Sequence, residues 1–112
     1  MASTYVRRFN LKSSLNDKQA SEFWQFLLGD FVPAIQKVKG VNSVKVYSGA
    51  GALRADIRLV ADMDNAGVYE TLLREPAIGK QLGFFYGNMD LETSTQMFIR
   101  EVTPDLLKAL SS

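Results

Sequence analysis

Between Gly40 and Asp62 the chain reads GVNSVKVYSGAGALRADIRLVAD, two runs of β-forming residues in alternation around a glycine-containing turn, and this pattern predicts a β-hairpin. On the second arm, Leu53 to Ala61, alternation puts Ala55, Ile57, Leu59 and Ala61 on one face and Arg54, Asp56, Arg58 and Val60 on the other. On the first arm, Ser43 to Tyr47, either Val44 and Val46 or Lys45 and Tyr47 turn inward, and apolar content favours the valines. Residues Ser48 to Ala52 form the flexible tip. Upstream, Tyr5 to Lys12 alternates loosely, with Tyr5, Arg7, Phe9 and Leu11 on one side and Val6, Arg8, Asn10 and Lys12 on the other, which predicts a first strand. Asn16 and Gln19 have the spacing of a capping pair, so a helix starts near Asp17. Along it Ala20, Phe23, Trp24, Leu27, Leu28, Phe31, Ile35 and Val38 recur at helical steps as a core-facing stripe, from which Phe26 and Val32 fall away. Pro33 predicts a kink or restart between Gly29 and Pro33, and Gly40 supplies a left-handed C-cap.

Beyond the hairpin, Asp62, Asp64 and Asn65 are N-cap candidates for a second helix through Tyr69, Leu72 and Leu73, which stops by Glu75 because Pro76 follows. Pro76 opens a short helix from Ala77 to about Tyr86, with Ile78, Leu82 and Phe85 on one side. Thr93 to Val102 is the last strand, and Thr103-Pro104-Asp105 begins a terminal turn over Leu106 to Leu110. The order is β-α-β-β-α-β within one α+β domain, residues 1–112. Two β-α-β halves meeting at a hairpin give the ferredoxin-like arrangement, a four-stranded antiparallel sheet with strands one and three central and the helices on one face. The other face then carries Val6, Arg8, Arg58 and Val60 with Tyr47, and Phe98 as well if the last strand turns that way, which the pattern leaves open. It is too apolar for water and too charged for a dry core. Burial against the same face of a second subunit resolves this, predicting a two-fold homodimer with sheets back to back and Arg8, Tyr47, Arg54, Asp56 and Arg58 at the interface.

Composition removes functions rather than adding them. A chain of 112 residues, 46% hydrophobic and 22% charged, forms one ordinary core. It has neither cysteine nor histidine, which excludes disulfides, thiol nucleophiles, Ser-His-Asp triads and histidine-held haem or metal. Carboxylate-only metal sites stay open, but no acidic cluster has calcium-loop spacing, and the expectation is a protein without metal or other cofactor. A net charge of +1 gives no footprint for nucleic acid or an anionic membrane. The opening MASTYVRRFN lacks an apolar signal core and no window has transmembrane length, so a cytoplasmic, soluble protein is expected.

The aromatic first helix FWQFLLGDFVPAIQKVKG, the turn into VNSVKVYSGAG and the late segment YETLLREPAIGKQLGFFYGNMD together resemble the dimeric α/β-barrel superfamily of small ferredoxin-like proteins. The resemblance covers nearly the whole chain. It implies the dimeric barrel fold and one of several activities, since that superfamily includes cofactor-free monooxygenases, lactone isomerases, polyketide cyclases and haem enzymes. No catalytic motif of those groups maps onto this chain, so its catalytic residues stay unknown. In such a fold the cavity lies between sheet and helices, where Tyr5 and Arg7 bring a phenol and a cation to its edge, and Trp24, Phe84, Phe85 and Tyr86 can line it. The plain alternatives are an Arg7 that snorkels to water and aromatics that are simply core. Gly79, Gly83 and Gly87 leave a smooth helix face that can admit a ligand or a close-packed backbone, with close packing or simple fraying the plainer explanation. Gly49 and Gly51 do not make a phosphate loop, because a strand rather than a helix follows. Three functions remain: an enzyme or binding protein for a small apolar or aromatic compound; a protein whose activity is homodimer assembly; and an RNA-binding module using Tyr47, Phe98, Arg8 and Arg58. The last is disfavoured, because ALRADIRLV lacks the glycine and aromatic pattern of that motif.

Overall fold

Alternation becomes strand in four places in the computed structural model, which describes residues 2–49 and 53–111. These strands are β1 (Ser3–Phe9), β2 (Val41–Tyr47), β3 (Ile57–Met63) and β4 (Thr95–Ile99). They form one antiparallel sheet in the order β2-β3-β1-β4, so the first and third strands are central as chain order requires. Register sets Tyr5 opposite Ala61 and Phe98, and Arg7 opposite Leu59 and Gln96. The inward row is therefore Tyr5, Arg7 and Phe9 on β1 with Ile57, Leu59, Ala61 and Met63 on β3, and all but Arg7 are buried. Val44 of β2 is buried beside them, and Lys45 and Tyr47 face outward.

The helices are α1 (Asp17–Phe26), α2 (Val32–Gln36), α3 (Val68–Arg74), α4 (Pro76–Gly87) and α5 (Pro104–Ser111). Asn16 caps α1 reciprocally: its side chain accepts from the Gln19 N–H at 2.8 Å, and Gln19 accepts from the Asn16 N–H at 2.9 Å. Between α1 and α2, Leu27–Phe31 is a π-helical turn closed by the Val32 N–H donating to the Leu27 carbonyl. Pro33 brings no N–H, and its ring would crowd the carbonyl of Gly29; a widened turn just before it relieves both problems. The extra residue in that turn also rotates the stripe. Val32, which regular spacing turns away from the core, is buried, and Leu28, which it turns inward, is 56% exposed. Gly40, at φ +96°, reverses the chain into β2 where a Cβ would stand 2.6 Å from Val68 Cγ2.

Inside, Phe23 and Phe31 stack on Phe85 and Phe9 meets Phe23 and Phe85 edge-on, with Phe31 and Phe85 centroids 4.5 Å apart. Four expectations are corrected. Leu53 to Asp56 are not strand: the Leu11 N–H donates to the Arg54 carbonyl at 2.8 Å and the Asp56 N–H to Asn10 Oδ1 at 2.8 Å, a bend that puts Asp56 at φ +52°. Alternation fails there, so Arg54 leaves the outer sheet face and reaches the Leu15 carbonyl and Asp17 at the start of α1. Phe98 belongs to the inner side, where it packs 5.4 Å from both Tyr5 and Tyr69, which takes an aromatic away from the supposed RNA platform. Gly79, Gly83 and Gly87 face open space, so close packing is not their reason. Of the hairpin tip, residues 50–52, including Gly51, lie outside the described residues.

Candidate ligand site

The pleat of β1 delivers Tyr5 and Arg7 to the helix side of the sheet, and register brings Gln96 of β4 alongside them. α3 adds Tyr69 and α4 adds Tyr86. Arg7 Nε donates to Tyr5 Oη at 3.2 Å, and Nη1 donates to Ser94 Oγ at 2.9 Å. Its Nη2 donates to Tyr86 Oη at 3.2 Å and to Gln96 Oε1 at 2.9 Å. All four acceptors are neutral, and among the described residues no carboxylate pairs with this arginine. The guanidinium carbon also lies 5.2 Å from the Tyr86 ring centroid, a cation–π distance.

Gln96 Oε1 is the hub of the cluster. Besides Arg7 it accepts from Tyr5 Oη at 3.0 Å and from Tyr69 Oη at 3.4 Å. The Tyr5 and Tyr69 rings stack with centroids 4.7 Å apart, which holds the two hydroxyls side by side. Burial, followed by the hydrogen bond with Tyr69, pushes the Tyr5 phenol well above its ordinary pKa, so it remains a donor. For Arg7 burial works against the charge, but Tyr5 and Tyr86 more than offset it and the net shift is upward. The cluster thus contains a permanent cation and phenols.

Beneath the hydroxyls, the same three tyrosine rings join Phe31, Ile35, Leu59, Leu73, Leu82 and Phe85 around a narrow apolar space of about 30 Å³. That is room for a couple of waters at most. Leu73, one of the residues that line it, is 41% exposed, so part of the wall is a surface side chain. A broader groove of about 640 Å³ runs between the π turn and α4, but its charged residues Asp30, Lys37 and Glu75 are exposed rather than convergent.

Of the ligand-site candidates named from sequence, Tyr5, Arg7, Phe85 and Tyr86 come together here. Trp24 does not: its Nε1 donates to the Leu53 carbonyl at 2.7 Å and its ring lies in a separate hollow with Asp17 and Arg54. On the outer sheet face Arg8, Tyr47, Asp56 and Arg58 surround an open hollow with Val6, Val60, Met97 and Ile99. There Asp56 lies 2.6 Å from Arg8 Nε and 3.2 Å from Arg58 Nε, and these contacts, Arg58 foremost, hold its carboxyl below the usual range. Tyr47 and Met97 are 52% and 50% exposed. Ser94, Gln96, Tyr69, Met97 and Ile99 were not among the sequence candidates. On β4 the pairing register against β1 turns Met97 and Ile99 outward and Gln96 and Phe98 inward, and it is this register that brings Gln96 to Arg7.

No protein-family model and no curated protein sequence matches the chain. Solved structures do. A cofactor-independent oxygenase from Streptomyces nogalater, SnoaB, superimposes with a TM-score of 0.72 at 13% identity, over 92% of this chain and 97% of that one. A dimeric ferredoxin-like protein of unknown function from Thermobifida fusca gives 0.70 at 14% identity, over 90% and 92%. Another dimeric protein of unknown function and ferredoxin-like fold, from Bacteroides fragilis, gives 0.68 at 12%, over 89% and 96%. Among the described residues no helix is long and apolar enough to cross a membrane, and no group of His, Cys, Asp or Glu could hold a metal ion. What the chain shares with these proteins, over 89–92% of its length, is the ferredoxin-like fold.

Proposed function

We propose that the protein binds a small, flat, largely apolar compound between the sheet and helices α3 and α4, with Arg7 and Tyr86 orienting it. The observation that carries this reading is a permanent cation ringed by neutral oxygens at the end of an apolar space. Arg54 and Arg8, by contrast, stand beside the carboxylates of Asp17 and Asp56. The likeness to a cofactor-independent oxygenase makes oxygenation of the bound compound the first reaction to assay. Assembly fits the same picture. The outer sheet face, with Val6, Val60, Met97 and Ile99 uncovered, is the surface through which two copies pair.

The test is a thermal-shift screen of planar aromatic compounds against the wild type, Arg7→Ala and Tyr86→Phe, with hits carried into calorimetry and an oxygen electrode. Hits are expected to raise the wild-type melting temperature and to lose about tenfold in affinity in Arg7→Ala, the worth of one hydrogen bond to a charged group. Affinities unchanged in both variants would remove the ligand from this site.

A further inference from the structure

Three donors from two different elements aim at one neutral oxygen. Tyr5 from β1, Tyr69 from α3 and Arg7 from β1 all reach Gln96 Oε1 within 2.9 to 3.4 Å. We infer that the Gln96 side chain occupies the seat of a ligand oxygen, and that the compound bound is an organic anion whose charged planar oxygen displaces it. This rests on the reading that the apolar space below takes the ligand's body.

An amide oxygen satisfies the donors yet leaves the guanidinium charge uncompensated. An anionic oxygen in the same place would make charge-assisted bonds, roughly twice as strong as neutral ones. Gln96 is also placed to yield. It sits on β4, the edge strand paired only with β1, and it is exposed, so its side chain can swing to water at the cost of a rotamer change. Ser94 and Tyr86 hold Arg7 from its other side, and the cation therefore stays in position when Gln96 leaves. The cluster holds no carboxylate and the chain no histidine, so it offers no base to create the charge: the ligand brings its own acidity.

The matched probes are 2-naphthoate and 2-naphthamide, equal in shape and differing in charge, titrated calorimetrically at neutral pH. The naphthoate is expected to bind the wild type about tenfold or more tightly than the amide. Arg7→Met should erase that preference. Gln96→Ala, which vacates the seat, should tighten naphthoate several-fold, whereas Gln96→Glu, which fills it with the protein's own carboxylate, should weaken naphthoate by about tenfold or more. Gln96→Glu should also raise the melting temperature through its new pairing with Arg7, so that lost binding is not mistaken for unfolding. Equal affinity for the two probes, or undiminished naphthoate binding in Gln96→Glu, overturns this inference and leaves the apolar site standing. Binding of neither probe overturns both.

Discussion

Phe85 joins the core to the ligand space, and Phe85→Ala measures both at once. The ring is 3% exposed and stacks on Phe31 at 4.5 Å, meets Phe9 edge-on at 5.4 Å and borders the apolar space. Removing a buried phenylalanine costs about 3–5 kcal/mol, from lost transfer free energy and the cavity left behind. A chain of this length has roughly 6–17 kcal/mol of stability in all, so the variant should fold but sit much closer to the threshold. With a urea slope of about 2 kcal/mol per molar, a loss of about 4 kcal/mol moves the midpoint down by about 2 M, measured at fixed protein concentration. The void should merge with the existing 30 Å³ and admit a ring from solution. Benzene at a hundred times its dissociation constant would then restore about 2.7 kcal/mol, more than half the loss, and leave the wild type unchanged. A midpoint shift under about 0.5 M, or a variant indifferent to benzene, would refute the placement of Phe85 between core and cavity.

Three further outcomes are expected. The double substitution Met97→Asp and Ile99→Asp puts charge on the uncovered sheet face, and sedimentation velocity should find monomers at micromolar concentration with an unchanged circular dichroism spectrum; a surviving dimer would move the interface elsewhere. Burial raises the Tyr5 pKa above the ordinary value of about 10, so the unfolded chain gives up that proton first. Its contribution to stability is whole below about pH 10 and is lost as pH rises toward the folded value, a slope that urea titrations should resolve and Tyr5→Phe should flatten. Asn16→Ala removes the reciprocal cap of α1 and should cost about 1 kcal/mol, or about 4 °C in melting temperature by calorimetry; an unmoved transition would mean that the cap adds nothing.

Much of this architecture could be read from residues whose pattern had a single physical solution. Alternation in β1 fixes Tyr5 and Arg7 on one side and Arg8 on the other, and the Asn16–Gln19 spacing marks the start of α1 to the residue. Other positions were hidden because the deciding force is not local. Arg54 looks like a strand residue until Asn10 and Leu11, distant in sequence, take the backbone hydrogen bonds of the bend. Leu28 and Val32 exchange environments because a π turn absorbs Pro33, and no helical wheel contains that extra residue. Gln96 stayed invisible since a lone glutamine in an exposed edge strand carries no signature. Only register against β1 shows it meeting Arg7.

Arg7 and Arg8 are consecutive on the central strand β1, one turned to the tyrosine cluster and the other to Asp56 on the outer face. Their backbones share a peptide unit, so the proposed ligand face and the proposed pairing face lie one residue apart on the same strand. If a compound that draws on Arg7 alters how Arg8 is presented to a second copy, then a second copy that fixes Arg8 alters the grip of Arg7 as well. Thermodynamic reciprocity makes the two effects equal in size: whatever factor ligand adds to dimer affinity, the dimer must add to ligand affinity. Any such coupling would run through the single strand that carries both arginines.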